Sequence, residues 1–315
     1  GESDTFEIRE DVYTDTFQKA MYFFYLQRCG CELPESAAGA YAHGACHTQD
    51  AVIYGTQNKI SVNGGWHDAG DYGRYVVPGA MAVAQMLLAY EVNPSFMEQY
   101  TNAAAHKPKL PDYFNELKYE LDWMMTMQRE DGALYHKVSC YNFCGFILPD
   151  QEKEELVISP VSATATGDFA AATAMAVRFY QKYDAEYADR LAAASRRAYE
   201  ALQNMNIPGG FKNPEEIVTG EYGDPCDEDE RYWAAAELYK TFGDEKYRRD
   251  FEERAIRKIY HGYGWGAMGS YGNLAYITTS NPVSEELKEK IKASMIDLGR
   301  RKLEIVEADG YGTAL

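Results

Sequence analysis

The sequence predicts an all-α fold, a toroid of inner and outer helix hairpins, and three observations carry that expectation. Segments near 12–28, 77–92, 111–128, 166–183, 186–205, 230–242, 244–260 and 284–303 each place apolar residues three and four apart, the spacing of one helix face. Alternating runs that would suit strands are few and short. One hairpin design occurs twice, at 176–202 and at 235–260. Repeated hairpins are the unit of a closed α/α ring, although a flat helical solenoid would use the same unit.

Taken in order, the elements alternate with long loops. The helix at 12–28 leads into a loop at 29–66 that is rich in Gly, Cys and His. The helices at 77–92 and 111–128 precede a second loop at 131–162. The first repeat follows. An Ala-rich helix ends in Phe179-Tyr180, Asp184 sits at a tight turn, Tyr187 comes three residues later, and a charged amphipathic helix runs on. A third loop covers 206–229. The second repeat uses Asp244 and Tyr247 in the same places. Each Asp stands where an N-cap belongs. The first helix of each pair is apolar on several sides, and the second has a solvent face. Asn63-Gly64 and Pro208-Gly209 mark breaks between elements. No low-complexity tract or linker divides the chain, so 1–315 reads as a single domain large enough for a substantial core.

Composition narrows the function classes. A net charge of −18 repels polyanions, so nucleic acid is not the expected partner, whereas an uncharged substrate or a bound cation suits the chain. No run of about 18 apolar residues appears, so no membrane-spanning helix is expected. The chain starts GESDT, without Met or an apolar leader, which fits removal of a leader or trimming. The 26 tyrosines suit helix edges and sugar-lined clefts alike. The six cysteines, Cys29, Cys31, Cys46, Cys140, Cys144 and Cys226, permit disulfides that a domain of this size does not need.

Two loops carry candidate metal donors. Cys29, Cys46, His47 and His67 lie within 39 residues in loop-like sequence. Zinc takes tetrahedral sulfur and nitrogen donors, and four protein donors make a closed, structural site. Such a site would brace the loop before Asp68. Buried thiols with unrelated histidines are the alternative, and Cys31 and His43 read as local fillers. The run TGEYGDPCDEDERYW (219–233) offers Thr219, Asp224, Asp229 and Glu230 as oxygen donors for calcium. Its alternative is an acid-rich helix N-terminus favoured by the helix dipole.

The stretch GGWHDAGDYGRYV (64–76) places Asp68 and Asp71 three residues apart among glycines. With a helix starting near Arg74, the pair lies in the turn before it. Two close carboxylates can hold one water, one accepting its proton while the other orients it. Their mutual repulsion raises one pKa. Such an arrangement would match the base half of an inverting glycoside hydrolase, where a carboxylate activates water on the sugar face opposite the leaving group. Trp66, Tyr72 and Tyr75 offer flat faces for sugar rings. A metal-binding or helix-capping Asp pair is the alternative.

GGWHDAGDYGRYVVPGA (64–80) resembles the signature of glycoside hydrolase family 9, cellulases built on an (α/α)6 barrel. The likeness continues through QRCGCELP, HGACHT, DGALYHKV, SPVSATATGDFAAATAMAVRFY and DEDERYWAAAELYKTFGDEKY, covering about 12–315. It implies Asp71 as general base and Asp68 as its partner on the water. It implies structural Zn2+ at Cys29, Cys46, His47 and His67, and Ca2+ in the Thr219–Glu230 segment. It implies glucose contacts from His136, Trp265 and Tyr222, and an extracellular or cell-surface setting. Appended carbohydrate-binding modules would be further partners.

One departure is expected. The family's general acid is a downstream Glu, and the sequence stops at EADGYGTAL without a counterpart. Eight or nine helices are legible where six hairpins need twelve. The expectation is therefore an incomplete barrel, with its C-terminal part missing, that alone has little activity on cellulose. Proton transfer from such an acid is commonly worth about 10²–10⁴ in rate. The leading expectation is β-1,4-glucan hydrolysis with inversion. A non-catalytic glucan-binding protein with metal-stabilised loops, and an unrelated α/α-toroid lyase or zinc-dependent cyclase, stand beside it. Chelation separates the last, because catalytic zinc keeps an open position.

Overall fold

A computed structural model describes residues 5–207 and 210–313, so the Pro208-Gly209 break lies outside the described residues. The helices are α1 (Thr14–Leu26), α2 (Glu35–Ala38), α3 (Val76–Val92), α4 (Pro94–Met97), α5 (Asp112–Thr126), α6 (Ala163–Tyr180), α7 (Ala185–Asn204), α8 (Glu228–Phe242), α9 (Glu245–Arg257), α10 (Gly269–Thr278) and α11 (Glu285–Ala308). All eight expected helices are present, with ends within a few residues of those read from periodicity. The turns α2 and α4 are too short to leave a periodic trace.

α3, α6, α8 and α10 pack side by side in chain order, and α5, α7, α9 and α11 each follow and cover one of them. The division follows composition. Every residue of α6 from Ala163 to Val177 is buried, and its alanines let neighbouring backbones close in. Gly167 is needed at the crossing with α8, since a Cβ there would sit 2.7 Å from the Cβ of Glu230. α7 and α9 instead bury one face only. The two repeats begin as expected at Asp184 and Asp244, but with different bonds. Asp184 accepts the N–H of Tyr187 at 3.0 Å. Asp244 makes no cap bond and pairs with Arg196 at 2.6 Å.

α10 was not legible in the sequence. GSYGNLAYIT has two glycines and is buried on most sides, so it shows no apolar stripe. Its Gly272 lies against Tyr232, where a Cβ would be 2.8 Å from the ring.

The two N-terminal long loops are also more ordered than expected. They join in one sheet of β1 (Ala51–Ile53), β2 (Lys59–Ile60), β3 (Arg74–Tyr75), β4 (Lys137–Cys140) and β5 (Leu156–Ile158), in the order β2-β1-β5-β4-β3. β1 and β5 run parallel, and the other pairs are antiparallel. Strands of two to four residues are too short to display alternation. The sheet holds the end of the 64–76 stretch through β3, and a separate bridge between Arg28 and Trp66 holds its start beside the cysteine-rich loop. All six cysteines are free. No helix among the described residues is long and apolar enough to cross a membrane.

Candidate active site and metal centre

The stretch after Gly64 is a tight loop that ends in β3, so the chain is extended at Arg74-Tyr75 before α3 begins at Val76. The Asp68 N–H bonds the Gly73 carbonyl at 2.9 Å, and the Tyr72 N–H bonds the Ala69 carbonyl at 3.1 Å. Asp71 is buried at the turn. Its Oδ1 accepts the Gly73 N–H at 3.3 Å, and its Oδ2 accepts the Tyr75 hydroxyl. Asp68 opens to solvent, and the Tyr222 hydroxyl reaches both of its oxygens at 2.9 and 2.8 Å. Crowding around the carboxyl raises the Asp68 pKa, the charge of Asp71 adds to that, and the Tyr222 bond opposes it. Glycine is required around Tyr75. A Cβ at Gly73 or Gly220 would lie 2.6 or 2.9 Å from the Tyr75 hydroxyl.

A cleft of about 470 Å³ opens over the pair, lined by Asp68, Asp71, Phe143, Glu221, Tyr222 and Trp265. Trp265 is part-exposed and meets the Tyr222 ring edge-on at 5.1 Å. Two sequence expectations need correction here. Trp66 and Tyr75 are interior side chains rather than open stacking faces. The Trp66 indole N–H bonds Glu116 at 2.9 Å, and Tyr75 is held by Asp71. Tyr72 is turned away to the Ile147 carbonyl. His136 is fully buried, stacks on Phe211 at 3.5 Å, and has Nε2 on the Glu221 carbonyl at 2.9 Å and Nδ1 on Ser162 at 2.8 Å. With both nitrogens taken it makes no contact in the cleft. Burial pushes its pKa down to about 3, so it is neutral. It positions the backbone beside Tyr222 instead.

Lys137 on β4 does related work. Its ammonium bonds the Thr219 carbonyl and hydroxyl at 3.3 and 3.1 Å, and the Gly220 carbonyl, beneath the ring of Tyr75. Burial pushes its pKa down to about 8, against the pull of Asp71 and Glu221. Beside the cleft, Asp68, Trp66, Tyr75 and Glu120 line a recess of about 120 Å³. Glu120 accepts the Trp66 N–H at 2.7 Å, and burial pushes its pKa up to about 8.

The expected zinc donors converge. The antiparallel bridge between Arg28 and Trp66 sets Cys29 beside His67, with the Cys29 N–H on Gly65 at 2.8 Å and the His67 N–H on Gln27 at 2.7 Å. Cys46 and His47 arrive from the same loop, and the donor atoms of all four residues lie within 4.8 Å of one another. All four are buried, and His47 Nδ1 has no partner. A hydrogen bond from Cys29 holds the Cys46 thiol far below its usual range despite burial, so it carries thiolate character. His47 Nε2 bonds Glu152 at 2.8 Å, which turns Nδ1 toward the cluster. Cys31 and His43 stand outside the group.

The acidic run is less converged. Asp224 accepts the Cys226 N–H at 2.9 Å, and Asp229 accepts the Met268 N–H at 2.6 Å. Glu230 and Asp168, from facing helices, are fully buried, and none of their carboxyl oxygens has a partner. Burial, together with the charges of Asp229 and Asp224, holds both pKa values well above the usual range, and Asp168 adds to this at Glu230. Thr219 is placed otherwise than expected. Its hydroxyl serves Lys137 and Ser139, and its carbonyl serves Lys137 and Asn213, so neither is free for a cation. Among the described residues, only the cysteine–histidine group brings three or more such donor atoms together.

Sequence reasoning missed Tyr75 as a hydrogen-bond donor, Lys137, Glu120, Glu152 and Asp168. Only Asp168 left a trace, an acid inside an otherwise small and apolar helix.

Comparison with known proteins covers most of the chain. The model for Glycosyl hydrolase family 9 matches residues 13–303. Endoglucanase D of Acetivibrio thermocellus is 41% identical over 329 residues, spanning 100% of this chain and 52% of that protein. A single mutant of a thermostable endoglucanase from Alicyclobacillus acidocaldarius superposes with a TM-score of 0.93 at 36% identity, covering 98% of this chain and 59% of the other. A Zn-binding triple mutant of the family 9 endoglucanase J30 does so at 0.92 and 32%, covering 99% and 61%. The chain thus spans about half the length of the curated relative it matches.

Proposed function

The chain belongs to glycosyl hydrolase family 9, and on that premise we propose that it carries the base half of an inverting β-1,4-glucan hydrolase. The observation that supports this most directly is the Asp68–Asp71 pair at the floor of a cleft edged by Trp265 and Phe143. Asp71 is the general base. Its hydrogen bonds to Gly73 and Tyr75 fix the carboxylate and leave lone pairs for a water. Asp68 orients that water and is itself fixed by Tyr222. Attack on the sugar face opposite the leaving oxygen inverts the anomeric carbon. Trp265 and Tyr222 supply sugar contacts, and His136 acts indirectly through the Glu221 backbone. The acid that protonates the leaving oxygen is assigned, by the family resemblance, to a glutamate in the length of the relatives that this chain does not span. The same resemblance puts the protein outside the cell, where glucan polymers are met.

Cys29, Cys46, His47 and His67 would hold structural zinc, and the unpartnered His47 Nδ1 and the thiolate character of Cys46 fit such an ion. Bound there, zinc would neutralise the thiolates and brace the loop before Asp68, with no open position for substrate. For calcium, only the unpartnered carboxyl oxygens of Glu230 and Asp168 speak in favour; those of Asp224 and Asp229 do not gather with them into a ligand set. Proton NMR of the first product released from a β-linked glucan by protein that includes the acid-bearing segment tests the reaction. Release of the α-anomer is expected, and the β-anomer would overturn inversion.

A further inference from the structure

Cys29 and Cys46 stand at the neck of a loop. Its two legs pair between Leu33 and His43, where each N–H bonds the other's carbonyl, at 3.0 and 3.1 Å. Beyond that pair the legs bring the two sulfurs within 4.8 Å of one another. The Cys29 thiol bonds the Cys46 sulfur, and the Gly30 N–H reaches the same sulfur at 3.5 Å. The other cysteines are engaged or placed elsewhere. Cys31 turns its thiol to the Tyr119 hydroxyl, Cys140 lies beside Glu152, Cys144 meets the Gly70 carbonyl at 3.6 Å, and Cys226 is exposed.

Zinc would hold Cys29 and Cys46 as donors, yet two touching thiols have a second chemistry that needs no ion. Sulfurs this near reach the roughly 2.0 Å of a disulfide bond by side-chain rotation and a small shift of the neck. A bond across the neck restricts the unfolded chain over the same ring that a bound ion closes.

We propose that Cys29 and Cys46 form a reversible disulfide in oxidising surroundings once the metal is lost, so that ion and covalent bond are alternative closures of one loop. The oxidant is a small-molecule disulfide of the glutathione type, and an extracellular setting supplies such oxidants. Cys46 follows the exposed Gly44-Ala45 and is the first to react. Its thiol gives a proton to solvent, and its sulfur attacks one sulfur of the small disulfide. That S–S bond breaks, and the departing thiolate takes up a proton. The Cys29 sulfur then gives up its proton and attacks Cys46 in the mixed disulfide, and a second small thiol leaves with a proton. Two protein thiols are oxidised, and one small disulfide is reduced to two thiols. The new bond engages neither His47 nor His67, so the covalent form closes the neck without gripping the loop at Asp68. This inference rests on the zinc reading above.

Incubation with oxidised glutathione tests it, followed by thiol counting in denaturant and peptide mapping, with zinc content measured on the same samples. Chelated protein should fall from six thiols to four, with Cys29 and Cys46 in one disulfide-linked peptide, and excess dithiol should restore six. Zinc-loaded protein should keep all six. Cys31→Ser should behave in the same way with one thiol fewer at each stage. Six thiols retained by chelated protein would overturn the disulfide and leave the zinc reading intact wherever zinc was bound before chelation. Linkage through Cys31, or a mixture of pairings as from an unfolded chain, would overturn it as well. The same linkage at the same rate with and without zinc would overturn the exchange of one closure for the other. Absence of bound zinc from every sample would remove both readings.

Discussion

An aspartate that takes a proton from water must be fixed and still have a lone pair free. Asp71 meets both needs, because one donor holds each oxygen and each oxygen can accept two. Asp71→Asn should lower kcat by about 10²–10⁴ while oligosaccharide affinity stays within a small factor, as kinetics beside calorimetry would show. Glu120 makes a different statement. Its pKa is raised from 4.5 to about 8 by burial, so between those values the folded chain holds a proton that the unfolded chain has released. Stability therefore falls as pH rises through that window, by on the order of 5 kcal/mol from this one group. Denaturant melts at several pH values should show a shallower fall for Glu120→Gln, and an unchanged slope would contradict the assignment. At this scale the sequence was legible where chemistry is local. Asp68 and Asp71 share one short motif, and the four metal donors lie within one loop. Lys137 and Glu152 reach their partners across 82 and 105 residues, and Asp168 faces Glu230 only because α6 packs on α8, and no local spacing encodes that.

Among the elements, the loop from Gly64 to Gly73 depends on close approaches that only glycine allows. Gly65 has φ of +79°, and a Cβ there would sit 2.6 Å from the Trp123 ring. Gly65→Ala combines a disfavoured dihedral with a steric clash, so a loss of roughly 2–4 kcal/mol is expected in equilibrium unfolding. It would also shift the carbonyl that holds Cys29 beside His67. Most of the long helices were legible by one apolar face, and α6, buried almost throughout, by an Ala-rich run of 18 residues. α10 was not, because a helix buried nearly all round shows no stripe. The short strands escaped because their identity lies in partners far along the chain. Trp66 and Tyr75 were misread for a related reason. An aromatic residue in a glycine-rich loop has the same signature whether it faces a ligand or packs inside.

Across the whole molecule, α3, α6, α8 and α10 form one row of packed helices, and the small sheet joins it where β3 runs into α3. The hairpin repeat and the family resemblance both pointed to this arrangement. The joining of the 29–66 and 131–162 loops into one sheet was invisible to either. Metal removal belongs at this scale, because the cysteine–histidine group ties the N-terminal helix to the aspartate loop. Chelation should lower Tm by roughly 5–10 °C and leave kcat little changed well below the transition. Activity lost in step with metal content at low temperature would instead mean that the ion takes part in the reaction.

The bond between His47 and Glu152 has a consequence for how the chain folds. The four candidate zinc donors lie within 39 residues, yet the carboxylate that turns His47 toward them comes from the segment leading into β5, which pairs in parallel with β1. Such pairing needs a long stretch of chain to close first, and closures of that kind are slow. The order of assembly is thus set by topology. An ion captured early would meet a loop with one imidazole still free to rotate. A coordination sphere at the candidate zinc site would then reach its final geometry late, once the distant half of the sheet is in place.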